Sequence, residues 1–458
     1  MTTYTLLTLV ALIAFGFLVG RRRAIAWAGK SLKTHSRPRY HGYYVGLWAG
    51  VPALALLLLS LISAGALIDM MVLAGMPEEV IESRSDSELD LLLASVKNTA
   101  AGVGFVSDDP VVLAAAEHLN ELQVGSEWVT SASVIALVLA GLLFAGRRIS
   151  PSFGARPAVE KAVKVGMIAC AGLAIVTTAG IMFALFFESL RFFERYDALD
   201  FIFGTTWSPQ TAIREDQVGS SGAFGAIPVF AGTALIAAVA MAVAVPIGLR
   251  SAIYLAEYAS KRMRAIVKPV LEILAGVPTI VYGFFAVLTV APLFRDAGVL
   301  IGLPIAANSA LAAGVVMGAM IIPFVSSLTE DAIRRVPKEL RDGSDALGAT
   351  KSETIRRTIL PAATPGIVAG ILLAVSRAIG ETMIVVMAAG LTANLTANPF
   401  EAVTTVTVQI VSNLTGDTSF DSAKTLSAFA LGLTLFVITI FLNLFAIGVR
   451  RKYQETYE

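Results

Sequence analysis

An arginine and a glutamate stand four residues apart inside an otherwise apolar run: Ser376-Arg377-Ala378-Ile379-Gly380-Glu381-Thr382 lies in the middle of Ala362–Leu391. On an uninterrupted helix, residues four apart share a face, so Arg377 and Glu381 are expected to pair. A charge buried in a membrane costs at least a few kcal/mol, which makes such a residue functional by default. One reading is a structural ion pair that locks two helices together. The other is a polar station on a substrate path, in which the arginine fork offers paired donors to an oxyanion, Glu381 holds the fork, and Ser376 and Thr382 stand beside them.

Covalent chemistry has no comparable signal. A nucleotide-binding loop needs a lysine placed directly after its second glycine, but Gly343-Ser-Asp-Ala-Leu-Gly348 is followed by Ala349-Thr350-Lys351. The three histidines, His35, His41 and His118, form no cluster with the lone Cys170, so metal-ligand spacing is missing. Cys170 lies in an apolar run, cannot form an intrachain disulfide and is expected to be a small packed hydrophobe. Neither catalytic residues, nor a metal, nor a cofactor is expected.

These residues must be held by elements of a membrane protein. Of 458 residues, 56% are hydrophobic and only 15% charged, well outside soluble-protein composition. A bilayer core about 30 Å thick takes roughly 20 apolar residues in a helix. Runs near that length are Tyr4–Gly20, Gly42–Ile68 and Trp128–Gly146, then Val165–Phe187, Ala226–Gly248, Val270–Leu293, Ile305–Ser326, Ala362–Leu391 and Leu426–Val449. The expected architecture is all-α and polytopic. Residues 1–160 form an N-terminal region of three spans, and 161–458 a core of six. The net charge of +1 gives no argument for nucleic acid as a partner.

That total conceals a topology. Arg21, Arg22, Arg23, Lys30, Lys33, Arg37 and Arg39 follow the first span with no acid among them, whereas the loop 69–127 carries twelve acids against Arg84 and Lys97. The positive-inside rule puts the first segment in the cytoplasm and the acidic loop outside. Alternation then places the N-terminus outside and the C-terminal Arg450, Arg451 and Lys452 inside. The first span is expected to be an uncleaved anchor, because its arginines follow the apolar run. In the acidic loop Leu89, Leu92, Leu93 and Val96, and again Val112, Ala115, Leu119 and Leu122, recur at helical spacing, predicting a small helical subdomain with an acidic surface.

The inside segment 327–361 is patterned as helix, turn, helix. Pro337 can open a helix over Lys338–Leu347, Gly348 breaks it, and Ser352–Leu360 resumes before Pro361. By pattern alone it is an amphipathic element lying at the membrane surface.

From Asp342 through Gly348 to Leu360-Pro361 this segment resembles the coupling loop of ABC-importer permeases, E-A-A-x3-G-x9-I-x-L-P. Asp342-Gly343-Ser344 replaces Glu-Ala-Ala and Thr358 replaces the isoleucine, while the Gly and Leu-Pro spacing is kept. Pro365-Gly366-Ile367, Ser376-Arg-Ala-Ile-Gly-Glu-Thr-Met383, Leu199–Pro209 and Glu272–Gly283 are similar to stretches of the phosphate-importer permeases, over about residues 165–450. The resemblance implies a six-helix type I permease core in a bacterial inner membrane that passes phosphate by alternating access. It also implies a PstA-like second permease, a PstB-like ATPase dimer that docks on Leu340, Asp342, Gly348, Leu360 and Pro361, and a periplasmic phosphate-binding protein. Arg377 and Glu381 match charged residues implicated in phosphate passage. A permease for molybdate or sulfate, or a signalling subunit that senses through the acidic loop, remain the alternatives.

Overall fold

The computed structural model describes residues 2–29, 34–77, 80, 86–102, 109–211, 221–415 and 421–453. Lys30, Lys33, Glu78, Glu79, Glu82, Arg84 and Asp108, which contribute to the charge pattern, lie outside the described residues. Nine helices among the described residues are long and apolar enough to cross a membrane. The chain divides into two compact units, Met1–Val176 and Thr177–Glu458.

In the first unit, α1 (Thr2–Gly29), α2 (Pro38–Ala74) and α4 (Pro110–Arg148) pack together. Leu9 of α1, Ala49, Ala53 and Leu57 of α2, and Val134 and Val138 of α4 form their shared apolar seam. Small residues at such a seam let helix backbones approach where lipid offers no hydrophobic drive for association. α3 (Asp86–Ala101) lies against the start of α4. Leu92 and Val96 meet Val112, Ala115, Leu119, Val72 and Met76 in a separate cluster, with Leu122 partly buried against it; of the residues expected on the packed face, Leu89 and Leu93 are not members of this cluster. The second helix of the acidic loop is continuous with the third span: α4 runs from Pro110 to Arg148 with no proline beyond its first position. α5 (Ala155–Phe193) begins in this unit. Cys170 is exposed on it, a correction to the packed position expected from its apolar neighbours.

In the second unit α6 (Ala198–Phe203) is capped by Asp197, whose Oδ1 accepts from the amides of Leu199 at 2.7 Å and Asp200 at 3.1 Å. An antiparallel hairpin follows, β1 (Trp207–Thr211) with β2 (Ser221–Phe224), pairing Trp207 with Phe224. Phe192, Phe201, Trp207 and Phe224 pack together there. The centre is built by α7 (Ile227–Ile253) against α10 (Ala310–Arg334), where Ile236, Ala237, Ala240 and Ala244 meet Ala313, Met317, Met320, Ile321 and Val325.

Between them α7 widens into a π-helical turn at Tyr254–Tyr258, followed by α8 (Lys261–Gly276) and α9 (Thr279–Ile301). The expected span Val270–Leu293 is therefore divided. Val277-Pro278 is extended between the two helices, because a proline disfavours helical backbone in the residue before it. Glu272 accordingly belongs to α8 rather than to the start of a span. α11 (Lys338–Ala346) precedes α12 (Lys351–Ile379). Then come α13 (Met383–Ala388), α14 (Val406–Leu414) and α15 (Ala423–Tyr453).

Two further expectations are corrected on α12. Pro361 does not end a helix. The chain passes through it by way of a π-helical turn at Ile355–Ile359, since a wider turn relieves the lost amide and the ring clash that a proline imposes on a regular helix. The expected span Ala362–Leu391 stops at Ile379, with Gly380 closing the helix. The following backbone is irregular, and α13 is buried through Ile384, Val385 and Ala388 in the central cluster. Non-helical backbone is tolerated at membrane depth only where protein or a cavity satisfies it.

Candidate functional site

The helix break decides the fate of the Arg377–Glu381 pair. Arg377 occupies the last turn of α12, Gly380 donates its amide to the Ser376 carbonyl at 3.2 Å, and Glu381 follows outside the helix. The two side chains therefore do not form the expected ion pair: the helical register that would have brought them together ends between them. Arg377 instead lays its guanidinium over Phe324, 5.3 Å from the ring centroid. Glu381 is half-buried, and its carbonyl accepts from Thr407 Oγ1 at 2.9 Å. Thr382 caps the start of α13 without a side-chain bond to it, its hydroxyl donating to the Gly380 carbonyl at 3.3 Å. Ser376 is half-buried.

Arg377 lines a cavity of about 190 Å³ together with Lys268 and Glu272 of α8 and Ser326, Ser327 and Glu330 of α10. Glu330 is 2% exposed and accepts from Arg264, with Lys268 Nζ further off at 3.9 Å. A buried carboxylate needs such pairing, because desolvation otherwise costs several kcal/mol. Ser326 Oγ is buried and has no hydrogen-bond partner among the described residues. Sequence reasoning passed over Arg264, Lys268, Ser326 and Glu330. A signal was available: Arg264, Lys268 and Glu272 recur every fourth residue, which aligns them on one helix face. The apolar run that begins at Val270 masks it, because such a run reads as the start of a span.

The segment 327–361 is built around an apolar seam. Leu340 and Leu360 pack against Ile333, Val336, Ile355, Ile359, Ala363 and Ile367. Arg341 ties the segment to α7's π-helical turn by donating to Glu257, and its other amine donates to the Ile333 carbonyl at 3.0 Å. Gly348 turns the chain in the left-handed region at φ +80°, a conformation that costs an ordinary residue about 1–2 kcal/mol. Thr350 and Glu353 then form a reciprocal cap that restarts the helix. Of the expected docking residues, Leu340 and Leu360 are brought together in the seam, whereas Asp342, Gly348 and Pro361 are exposed. Leu347 at the tip is 90% exposed.

Two families match this chain. One, described as a phosphate ATP-binding cassette transporter, covers residues 6–177; the other, the binding-protein-dependent transport system inner membrane component, covers 244–454. A probable ABC transporter permease protein, YqgH of Bacillus subtilis, is 31% identical over 276 residues, which are 59% of this chain and 84% of the relative. The phosphate transport system permease protein PstC 1 of Mycobacterium bovis is 32% identical over 288 residues, 57% of this chain and 84% of its own length. PstC of Mesorhizobium japonicum is 30% identical over 287 residues, with 59% and 84% covered. The fold and these matches define an ABC-transporter permease, a multi-pass transport component. Within that class the chain belongs to the PstC family of phosphate transport system permeases.

Proposed function

We propose that this chain passes inorganic phosphate across a bacterial inner membrane as one permease of an ATP-driven importer. The observation that carries the reading is Arg377, at the broken end of a membrane helix and lining a cavity of mixed charged, polar and apolar side chains, in a member of the PstC family. Irregular backbone at membrane depth survives only where protein or a cavity satisfies it, and at this helix C-terminus it is the Arg377 charge, not the helix dipole, that would attract an anion. Arg377 is the cation of the path. Ser376 precedes it on the last turn of α12, Glu381 and Thr382 lie in the break that follows, and Glu381 acts without pairing to Arg377.

The working assembly comprises this chain, a PstA-like second permease, a PstB-like ATPase dimer and a periplasmic phosphate-binding protein. ATP is hydrolysed on the partner. Closure of the ATPase dimer pulls on the coupling segment through Leu340, Asp342, Gly348, Leu360 and Pro361, and the helices of residues 161–458 rock between outward- and inward-open states. Residues 1–160 are a separate region with their acidic loop outside, the N-terminus outside and the C-terminus in the cytoplasm.

The test is uptake of radiolabelled phosphate by the assembled importer carrying Arg377→Ala or Glu381→Gln. Loss of at least tenfold is expected for R377A, the scale of one lost charge-assisted contact. Wild-type rates in both variants sink the substrate-path assignment. Stimulation of the ATPase by sulfate or molybdate in place of phosphate would reassign the substrate.

A further inference from the structure

The cavity beside Arg377 holds more chemistry than one arginine can use. Its charged members are unequally satisfied. Glu330 pairs closely with Arg264 and only loosely with Lys268, whose Nζ stands 3.9 Å from the far carboxylate oxygen and makes no hydrogen bond among the described residues. Arg377 contributes a second cation that touches an aromatic face and, among the described residues, no carboxylate. Ser326 contributes a buried hydroxyl with no partner among the described residues. A buried hydroxyl in that state costs free energy unless something enters to bond it. Glu272 lines the same space and makes no ion pair or hydrogen bond among the described residues. At about 190 Å³ the cavity far exceeds the ~10–15 Å³ that a single water needs.

We propose that this cavity is an anion station selective for an oxyanion that still carries a proton. Lys268 and Arg377 neutralise the anion, the Ser326 hydroxyl bonds one of its oxygens, and the Glu272 carboxylate accepts from its P–OH. Two cations alone attract any tetrahedral oxyanion. A carboxylate beside them discriminates, because phosphate keeps at least one proton at neutral pH and sulfate keeps none. Sulfate would face an acceptor with nothing to donate, and repulsion of this kind separates ligands of equal shape. The inference rests on the phosphate-permease reading and adds to it the residues that choose the anion.

The experiment uses the full assembly in proteoliposomes. Uptake of labelled phosphate is measured for Ser326→Ala, Lys268→Met, Glu272→Gln and Glu272→Asp, with and without sulfate on the ATPase side, where no binding protein filters it. Losses of about tenfold are expected for K268M and E272Q, and of a few-fold for S326A, with partial recovery in E272D. E272Q turns an acceptor into a group that also donates, so sulfate is expected to slow this variant and leave the wild type unaffected. S326A removes no bond made in the protein, so it stays folded and decides the matter should another variant fail to assemble. If wild type imports phosphate while S326A and E272Q match it in rate and sulfate insensitivity, the station is overturned and the permease reading stands. If wild type imports no phosphate, the permease reading falls first.

Discussion

Glu257 and Arg341 show how a few atoms join the segment 327–361 to the π-helical turn that ends α7. Glu257 is only 8% exposed and accepts from Arg341, which is itself tied to the Ile333 carbonyl. Removing the arginine alone leaves a buried carboxylate without its charge partner, and the strained choice is then to open the segment or to leave the charge unpaired. Arg341→Met is expected to lower stability by about 2–3 kcal/mol, read as a drop in the midpoint of thermal unfolding of the purified assembly and as weaker retention of the ATPase. Adding Glu257→Gln should restore much of the loss, because no uncompensated charge remains. A double variant no better than R341M would show that the pair is not what couples these elements. At this scale the sequence was only partly legible. Arg377 stood out because it is a charge inside an apolar run. Arg264, Lys268 and Glu330 did not, because each lies where a span gives way to a polar segment and a charge there looks interfacial. Their partnership depends on where α8 comes to rest against α10, which is a tertiary fact.

Elements differ in whether their glycines are required. On α10, a Cβ at Gly318 would stand 2.7 Å from the Ala240 carbonyl oxygen and 2.9 Å from Val243 Cβ. Backbone at that distance cannot be pushed aside without parting α7 from α10. On α11, a Cβ at Gly343 would meet nothing within 4 Å. The same Gly→Ala change should therefore have opposite signs at the two places. Gly318→Ala is expected to destabilise by about 1–3 kcal/mol through overpacking, even after the gain in helix propensity. Gly343→Ala should stabilise α11 by about 0.5–1 kcal/mol, because alanine loses less backbone entropy on entering a helix. Thermal unfolding of both single variants checks the pair, and two shifts of the same sign would refute it. Span existence was readable from apolar run length. The ends were not: Pro361 signals a stop, yet its cost is absorbed by the π-helical turn at Ile355–Ile359, and the apolar residues Met383–Ala388 continue the hydropathy of a helix that Gly380 has already closed. Hydropathy reports burial from water, and a short buried helix satisfies it as well as a span does.

For the molecule as a whole, the charge total of +1 is the sum of opposed segments, and the Lys and Arg content of each segment predicts its side of the membrane. Asn98 is exposed on α3, within the acidic loop expected outside, and Ser352 is exposed at the start of α12, within the basic segment expected inside. With Cys170→Ser removing the native thiol, a membrane-impermeant maleimide applied to spheroplasts should label Asn98→Cys and spare Ser352→Cys until the membrane is opened. The reasoning is energetic: translocating a segment dense in Lys and Arg against the negative-inside potential costs about 2.3 kcal/mol per charge per 100 mV, whereas acids contribute little to orientation. Replacing Arg21, Arg22 and Arg23 by glutamine should leave the labelling of Ser352→Cys unchanged, because Arg334, Arg335, Lys338, Arg341, Lys351, Arg356 and Arg357 hold that segment inside on their own. Labelling of Ser352→Cys in intact spheroplasts would invert the topology and take the coupling segment out of reach of ATP, and with it the proposal that a cytoplasmic ATPase drives this permease.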